Sequence, residues 1–340
     1  MCALAIREIG SATELESLRA DWLALWKRSS TSTPFQSPDW LIPWWKHFGV
    51  GQLYVLAVTE EQRLVGLAPL FVANARTLTL LGTGHSDYLD ILVDDRVCND
   101  AAVAIFSHLC ANRRTWNECD FQNLRQTSPL LTMKSCEGLR EQLQEQNFCP
   151  VTLLPATEQR FLDSLSPQLR HNLDYYRRRL SMLGEVVIER AGEHHFAASF
   201  DAFVKLHEAR WRMNSMPGVL CDGKVQSFHR DAATGFLASG ALRLYALRIN
   251  GRIIASLYGF HHAARTYYYL GGFDPEFKQY SPGTILVAHA ITTAIREGAR
   301  EFDFLRGRED YKYRWGALDR TIYRKRLVSC YTNDCHKATR

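Results

Sequence analysis

Residues 265–307 read RTYYYLGGFDPEFKQYSPGTILVAHAITTAIREGAREFDFLRG. A strand ends in Gly271-Gly272, a polar loop follows, and a helix opens at Gly283 with Ser281, Pro282, Gly283 and Thr284 at its start. Free backbone N–H groups and the helix dipole make such a terminus a site for an anion. Gly283 would let a phosphate approach the backbone closely, and Lys278 stands nearby to add charge. The same residues also make good helix caps, so a plain capped turn is the competing reading. Ala288, Ala290 and Ala294 give the helix a small-residue face for close packing on a sheet. It ends at Gly298, and residues 301–305 follow as a strand. Strand, loop, helix, strand in this order is an α/β pattern.

Upstream, residues 242–249 and 253–260 flank Asn250-Gly251, a hairpin signal because both central residues of a type I′ turn need positive φ. A helix begins at Ser166-Pro167, another spans roughly 193–213, and a third follows Asp222. The first half has a similar order. A strand at 4–8 leads into a helix with capping-box spacing at Ser11 and Glu14, and a second helix starts at Ser37-Pro38. Strands are expected at 53–59, 63–72, 77–81 and 88–93, then a helix near 99–112 and a strand at 116–123. The matching order predicts an α/β chain with mixed sheets, made of two similar halves, 1–155 and 156–340, joined near 150–165. The repeat lies in element order alone.

Of the 340 residues, 46% are hydrophobic and 23% charged, values of a globular chain and not a disordered one. No apolar run approaches the roughly 18 residues of a membrane span; residues 64–75 are short and contain Pro69. The start, MCALAIREIG, lacks the basic-then-apolar pattern of an export signal. Nine cysteines without a CxxC pair then predict reduced thiols, a cytoplasmic protein and no metal site. The net charge is +5, and residues 306–326 hold eight Lys/Arg against three acids. That local surplus suggests an anionic ligand, either a phosphorylated cofactor or a nucleic acid; a solvated basic face is the alternative.

Several stretches in order carry a family resemblance over nearly the whole chain: PFQSPDWL (34–41), LVGLAPL (64–70), LLGTGHSDYLDIL (80–92), LRHNLDYYRRRL (169–180), LHEARW (206–211), FKQYSPGTIL (277–286) and FDFLRGREDYKYRW (302–315). The chain resembles the Gcn5-related N-acetyltransferase (GNAT) superfamily, and within it the CelD-type family of cellulose-biosynthesis acetyltransferases, relatives of the FemAB peptidyltransferases. The resemblance implies a tandem GNAT-like fold. The C-terminal half would bind acetyl-CoA or another acyl-CoA as co-substrate, with no tightly bound cofactor, and the N-terminal half would be a degenerate copy shaping the acceptor cleft. Residues 278–283 match the family's QxxGxG/A pyrophosphate loop loosely, with Lys278 in first position and Ser281 in place of a glycine.

The resemblance further implies that a backbone N–H near Leu270, Gly271 and Gly272 polarises the thioester carbonyl where the strand splays. Asp303 would orient or deprotonate an acceptor amine, unless it is paired with Arg306 or Lys312. Tyr311, or Tyr313, would protonate the leaving thiolate. Helix 193–213 places Phe196, Phe200, Phe203, His207 and Trp211 on one face, so His207 is either a core histidine or part of the site. Arg210 would bind an anionic acceptor or lock a carboxylate. Arg170 lies on the helix that also carries Arg177, Arg178 and Arg179. Asp87 and Tyr88 follow a Gly-x-Gly turn and could line a cleft; Lys312 and Trp315 complete the expected substrate-binding set. The expected reaction is N-acylation of a small-molecule amine, an amino sugar or an envelope or polysaccharide precursor. The rivals are a Fem-like transferase using aminoacyl-tRNA, held by the basic stretches 170–179 and 306–326, and a non-catalytic binding protein in polysaccharide assembly.

Overall fold

The computed structural model describes residues 3–330 apart from Ser135 and Asn214. The chain divides into two compact units, one running to Asn147 and resuming at Thr321, the other spanning Phe148–Arg320. The first holds β1 (Ala5–Ile9), α1 (Ala12–Ser17), α2 (Arg19–Arg28), α3 (Pro38–Phe48), β2 (Gln52–Leu53), β3 (Val55–Glu60) and β4 (Arg63–Ala68). It continues with β5 (Leu70–Val72), β6 (Thr77–Leu80), β7 (Leu92–Val93), α4 (Cys98–Ala111), β8 (Glu118–Arg125) and α5 (Pro129–Thr132). Strand β9 (Leu139–Leu153) carries the chain into the second unit. There follow α6 (Glu158–Ser164), α7 (Pro167–Ser181), β10 (Val186–Arg190), α8 (Phe196–Met213), α9 (Gly223–Ala238), β11 (Leu242–Ile249), β12 (Arg252–His262) and β13 (Arg265–Phe273). Last come α10 (Pro282–Arg296), β14 (Glu301–Asp303), α11 (Asp310–Tyr313) and β15 (Leu318–Ser329). The described helices include none long and apolar enough to cross a membrane.

Local signals in the sequence act as expected. Ser11 and Glu14 form a capping box on α1, and the Ser166 hydroxyl accepts from the Leu169 N–H at the start of α7. Asn250 and Gly251 both take positive φ in the β11–β12 turn. Pro69 divides the stretch expected as one strand, 63–72, into β4 and β5: proline has no N–H to give to a ladder. Of the strand expected over 88–93, only Leu92 and Val93 pair, with β4.

In the second unit β10 to β13 pair antiparallel in sequence order. β13 then runs parallel to β14 through Arg265–Glu301, Thr266–Phe302 and Tyr267–Asp303 only, and β14 pairs antiparallel with the end of β9. β13 continues beyond Tyr267 to Phe273 without that partner. Its pairing with β12 slips at Tyr258/Gly259, leaving Tyr269 as the extra residue of a bulge. The first unit repeats the device: β6 runs parallel to β8 through Thr77–Glu118, Leu78–Cys119 and Thr79–Asp120, with α4 as the crossover, and β8 pairs antiparallel with β15. This is a mixed α/β fold in which one device, a parallel strand pair joined through a crossover helix, is built twice. The strand flanking each parallel pair begins in the other unit. The transitions at 147/148 and 320/321 therefore fall inside β9 and β15 and not in a linker near 155, because a continuous strand carries no turn residues to mark them.

The core of the second unit packs α7 and α10 on β11 to β14. Ala288, Ala290 and Ala294 are buried, as their spacing predicts. In the first unit Cys110 and Cys136 form a disulfide. The expectation of reduced thiols throughout is wrong for this pair: Cys110, in the last turn of α4, meets Cys136, a proximity that no short cysteine spacing announces.

Helix α8 presses directly on β13. A Cβ at Gly272 would lie 2.2 Å from the His207 backbone nitrogen and 2.6 Å from its Cα. Backbone cannot swing aside as a side chain can, so Gly272→Ala should destabilise by about 1–3 kcal/mol, the usual scale of overpacking. Urea unfolding checks this; an unchanged midpoint would show that helix and strand are not locked at this point.

Candidate active site

A cavity of about 340 Å³ opens in the second unit beside the part of β13 that has left β14 behind. Tyr268 and Phe273 of β13 line it, with Lys278 from the 3₁₀ turn at Pro275–Tyr280 and Ser281, Pro282, Gly283, Thr284 and Val287 from the start of α10. Leu169 of α7, Arg210 of α8, and Tyr311, Arg314 and Trp315 around α11 complete it. Three cations face the cavity, Arg210, Lys278 and Arg314, and none of the described residues lining it is acidic.

The start of α10 is open at this point. Ser281 sits in the left-handed region at φ 47° and makes no side-chain cap, and a Cβ at Gly283 would meet nothing within 4 Å. The capped-turn reading of this segment therefore lacks its cap, while the first N–H groups of a long helix point at three cations' worth of positive surroundings.

Gly271 and Gly272 separate two faces, since successive strand residues point opposite ways. A Cβ at Gly271 would lie 2.5 Å from the Tyr268 hydroxyl, on the cavity side, whereas at Gly272 it would strike α8. The Gly271 carbonyl accepts from His207 Nδ1 at 3.2 Å and Arg210 Nη1 at 3.3 Å. That bond makes Nδ1 the protonated nitrogen of a neutral imidazole and leaves Nε2 as an acceptor. His207 is buried, and burial pushes its pKa down to about 4, with Arg210 adding to the effect. His207 Nε2 and Trp211 Nε1 are buried without hydrogen-bond partners, under Gly218, whose Cβ would lie 3.0 Å from Nε2. His207 is thus a core histidine of the Phe196–Trp211 face that also ties the site strand in place.

The other expected residues separate into distinct roles. Tyr311 lines the cavity, its ring 6.4 Å from that of Tyr268. Burial, then the neighbouring Tyr268, holds its phenol far above the usual range, so it stays protonated. Asp303 is buried and outside the lining. Its Oδ1 accepts from the Leu305 N–H at 2.8 Å, where Leu305 takes φ 58°. Phe302 and Phe304 point together into the core, as the period-two pattern predicts.

Lys312 does not face the cavity. Its buried Nζ donates to the carbonyls of Leu305, Arg306 and Gly307 at 3.2, 2.9 and 3.1 Å and pairs with Glu309 at 2.8 Å. It is the hub that shapes the 305–309 loop. Trp315 lines the cavity and stacks near Phe161, centroids 6.5 Å apart. Arg170 lies 3.8 Å from Asp163, outside the lining. Leu270 also lies on β13 past the ladder but is not among the lining residues. Asp87 and Tyr88 belong to the first unit and are buried there, Tyr88 beneath the Arg125 guanidinium.

The basic stretch 306–326 is largely neutralised. Arg308 pairs with Asp319, Lys312 with Glu309, Arg320 with Glu301, Arg324 with Asp120, Lys325 with Glu141 and Arg326 with Glu118. Six of its eight cations are thereby committed within the protein, against the expectation of an anion-binding run. Arg314 instead lines the cavity, and nothing in its spacing distinguishes it from its paired neighbours. Tyr268 and Phe273 were equally hidden, as ordinary aromatic residues of a strand.

These observations place an open, uncapped helix start among three cations beside a splayed, bulged strand. Residues 167–313 match the family model described as an acetyltransferase (GNAT) domain. The match lies within the second unit and includes every residue lining the cavity except Arg314 and Trp315. No curated protein matches the chain in sequence. Among solved structures, FemX is similar over 94% of this chain and 96% of its own, at TM-score 0.65 and 12% identity. The C-terminal domain of a putative lysylphosphatidylglycerol synthetase from Agrobacterium fabrum is similar over 94% and 93%, at 0.59 and 12%. L-PGS from Bacillus licheniformis follows over 95% and 93%, at 0.56 and 11%. At such identities the likeness is one of fold.

The neutral state of His207 makes a measurable demand. Unfolded, the imidazole takes a proton near pH 6.5; folded, only near about 4. The unfolded state therefore binds more protons in that window, and stability falls as pH falls from 6.5 to 4, by about 3 kcal/mol from this residue. His207→Gln should remove that part of the slope in urea unfolding across pH 4–7. A variant with the wild-type slope would mean that His207 is not held neutral.

Proposed function

We propose that the second unit is an acyl-CoA-dependent N-acyltransferase. The observation that carries this reading is the uncapped start of α10, opening into a cavity with three cations and, among the described lining residues, no acid, beside the stretch of β13 that has β12 on one edge and no β14 partner on the other. The donor's pyrophosphate would lie on the N–H groups at Gly283 and Thr284, with Lys278 adding charge. Its thioester would reach the free edge of β13, where a backbone N–H near Leu270–Gly272 hydrogen-bonds the carbonyl oxygen and stabilises the charge developing there. The neutral acceptor amine attacks the carbonyl carbon, the C–S bond breaks, and the amine proton passes to solvent or to the departing sulfur.

Tyr311 is suited to donate a hydrogen bond to that sulfur. A phenol held so far above a thiol's pKa near 8.5 would not surrender its proton outright. Asp303, buried under its own turn, is assigned to holding the 303–305 bend. With no acid among the described residues of the cavity lining, the acceptor would have to arrive as free amine. A small-molecule amine, an amino sugar or an envelope or polysaccharide precursor of the CelD-type pathways fits this chemistry.

The first unit is a poor donor site. Asp94 and Asp95 precede its crossover helix α4, and Asp100 lies in the first turn. Asp94 is held ionised by Arg96, with Arg28 assisting, and it pairs with Arg28, Arg63 and Arg96, so the cations at this helix start are already taken by a carboxylate of the chain. The Fem-like reading, with tRNA on the basic stretches 170–179 and 306–326, is disfavoured at the second of these by the ion pairs that consume its charge.

Two substitutions test the assignment. Gly283→Asp puts a carboxylate into open space, so folding should be kept while acetyl-CoA affinity falls at least about tenfold in calorimetric titration, one lost charge-assisted contact being worth about 1.5–3 kcal/mol. Unchanged affinity would place the donor elsewhere, and no heat with wild-type protein would favour the aminoacyl-tRNA or binding-protein readings. Tyr311→Phe should lower the acyl-transfer rate by about 10²-fold with donor affinity retained. Full activity in this variant would remove the phenol from the mechanism.

A further inference from the structure

Helix α7 runs from the cavity to a second cluster that the acyl-transfer reading leaves unused. Leu169 near its start lines the cavity. Ten residues on, about 15 Å along the axis, the Arg179 guanidinium lies 4.8 Å from the ring of Tyr280 and 5.5 Å from that of Tyr175. Its Nη1 is 3.5 Å from the Gln279 carbonyl. Tyr280 directly precedes Ser281, so the cluster adjoins the open start of α10. Tyr175 is 43% exposed.

The charge at this point is uncommitted. Among the described residues Arg177, Arg178 and Arg179 make no ion pair, in contrast to the paired cations of 306–326. Three arginines in a row cannot share one face, but Arg179 is held by its two rings toward the α10 start. An exposed tyrosine ring offers a face for a base, and a guanidinium beside it offers a charge for a phosphate. We propose that Tyr175, Arg179 and Tyr280 form a subsite for the 3′-phosphoadenosine end of the acyl donor. The base stacks on Tyr175, and Arg179, backed by Tyr280, binds the 3′-phosphate, while the pyrophosphate occupies the helix start. The inference rests on the acyl-CoA reading for the identity of the donor, but the subsite has its own ligand chemistry.

The test is calorimetric titration of the full chain with acetyl-CoA, S-acetyl-4′-phosphopantetheine, which lacks the nucleotide, and adenosine 3′,5′-bisphosphate, which lacks the acyl arm. Wild-type protein should bind acetyl-CoA about tenfold or more tightly than the phosphopantetheine thioester, the scale of one stacked base. Adenosine 3′,5′-bisphosphate should bind and compete with acetyl-CoA. Tyr175→Ala and Arg179→Met should each remove most of the preference for acetyl-CoA and leave the phosphopantetheine thioester unaffected. Tyr175→Ala changes an exposed side chain and guards against a folding defect in the second variant. A wild-type ratio near one, or a ratio unchanged in both variants, overturns the subsite and leaves the acyl-CoA reading standing. Binding of the bisphosphate alone, lost in Tyr175→Ala, supports the subsite and overturns the acyl-CoA reading. Failure of all three ligands overturns both.

Discussion

The cavity of the second unit and the strand edge beside it depend on how little of β13 and β14 is paired. Three residue pairs hold the parallel ladder, and then the strands part. Had the ladder continued, the N–H and C=O groups on the β14-facing edge of residues 268–273 would be satisfied within the sheet, as those facing β12 already are, and that edge would not be free. The parting is enforced from both sides. On one, the bulge at Tyr269 twists β13. On the other, β14 ends at Asp303, whose carboxylate accepts from the Leu305 N–H and turns the chain away through a left-handed Leu305. Positive φ at a branched residue is strained, and the Asp303 bond together with the Lys312 cage on the carbonyls of 305–307 over-determines it.

The two lysine hubs show how buried charge is used in this chain. Lys312 gathers three successive carbonyls and Glu309. In the first unit, buried Lys325 gathers the carbonyls of Leu131 and Met133 together with Glu141. A buried ammonium is tolerable only when its protons are all taken, and irregular backbone offers carbonyls that no ladder has claimed. Each lysine therefore fixes a loop beside a strand end. Most of the positive charge in 306–326 is spent within the protein in this way or in ion pairs, while the cations that line the cavity, Arg210, Lys278 and Arg314, come from three separate elements.

Gly271-Gly272 shows one dipeptide meeting two demands. The first glycine leaves room for the Tyr268 hydroxyl on the cavity face, and the second lets the backbone of α8 touch the strand. With α8 so close, His207 and Arg210 reach the Gly271 carbonyl. The geometry of the strand edge is thus coupled to the packing of a helix on its far side.

Much of the fold was readable in the chain, because hairpin, cap and period signals are local. Asn250-Gly251, Ser11 with Glu14, Ser166-Pro167 and the alternation of Phe302, Asp303 and Phe304 each depend on a few neighbouring residues, and each was met. That Lys278 to Thr284 form a loop leading into an open helix start was readable for the same reason: its parts are contiguous. What only the tertiary structure decided is long-range. Strands β9 and β15 each begin in one unit and pair in the other, so no linker marks the transition. Cys110 meets Cys136 across 26 residues. Whether a cation is free or spent depends on acids such as Glu301, Asp120 and Glu118, remote in sequence from the arginines they neutralise, while Lys312 and Arg314, two residues apart, came to a buried cage and an open cavity because the fold turns the 305–307 carbonyls onto the first and the cavity onto the second.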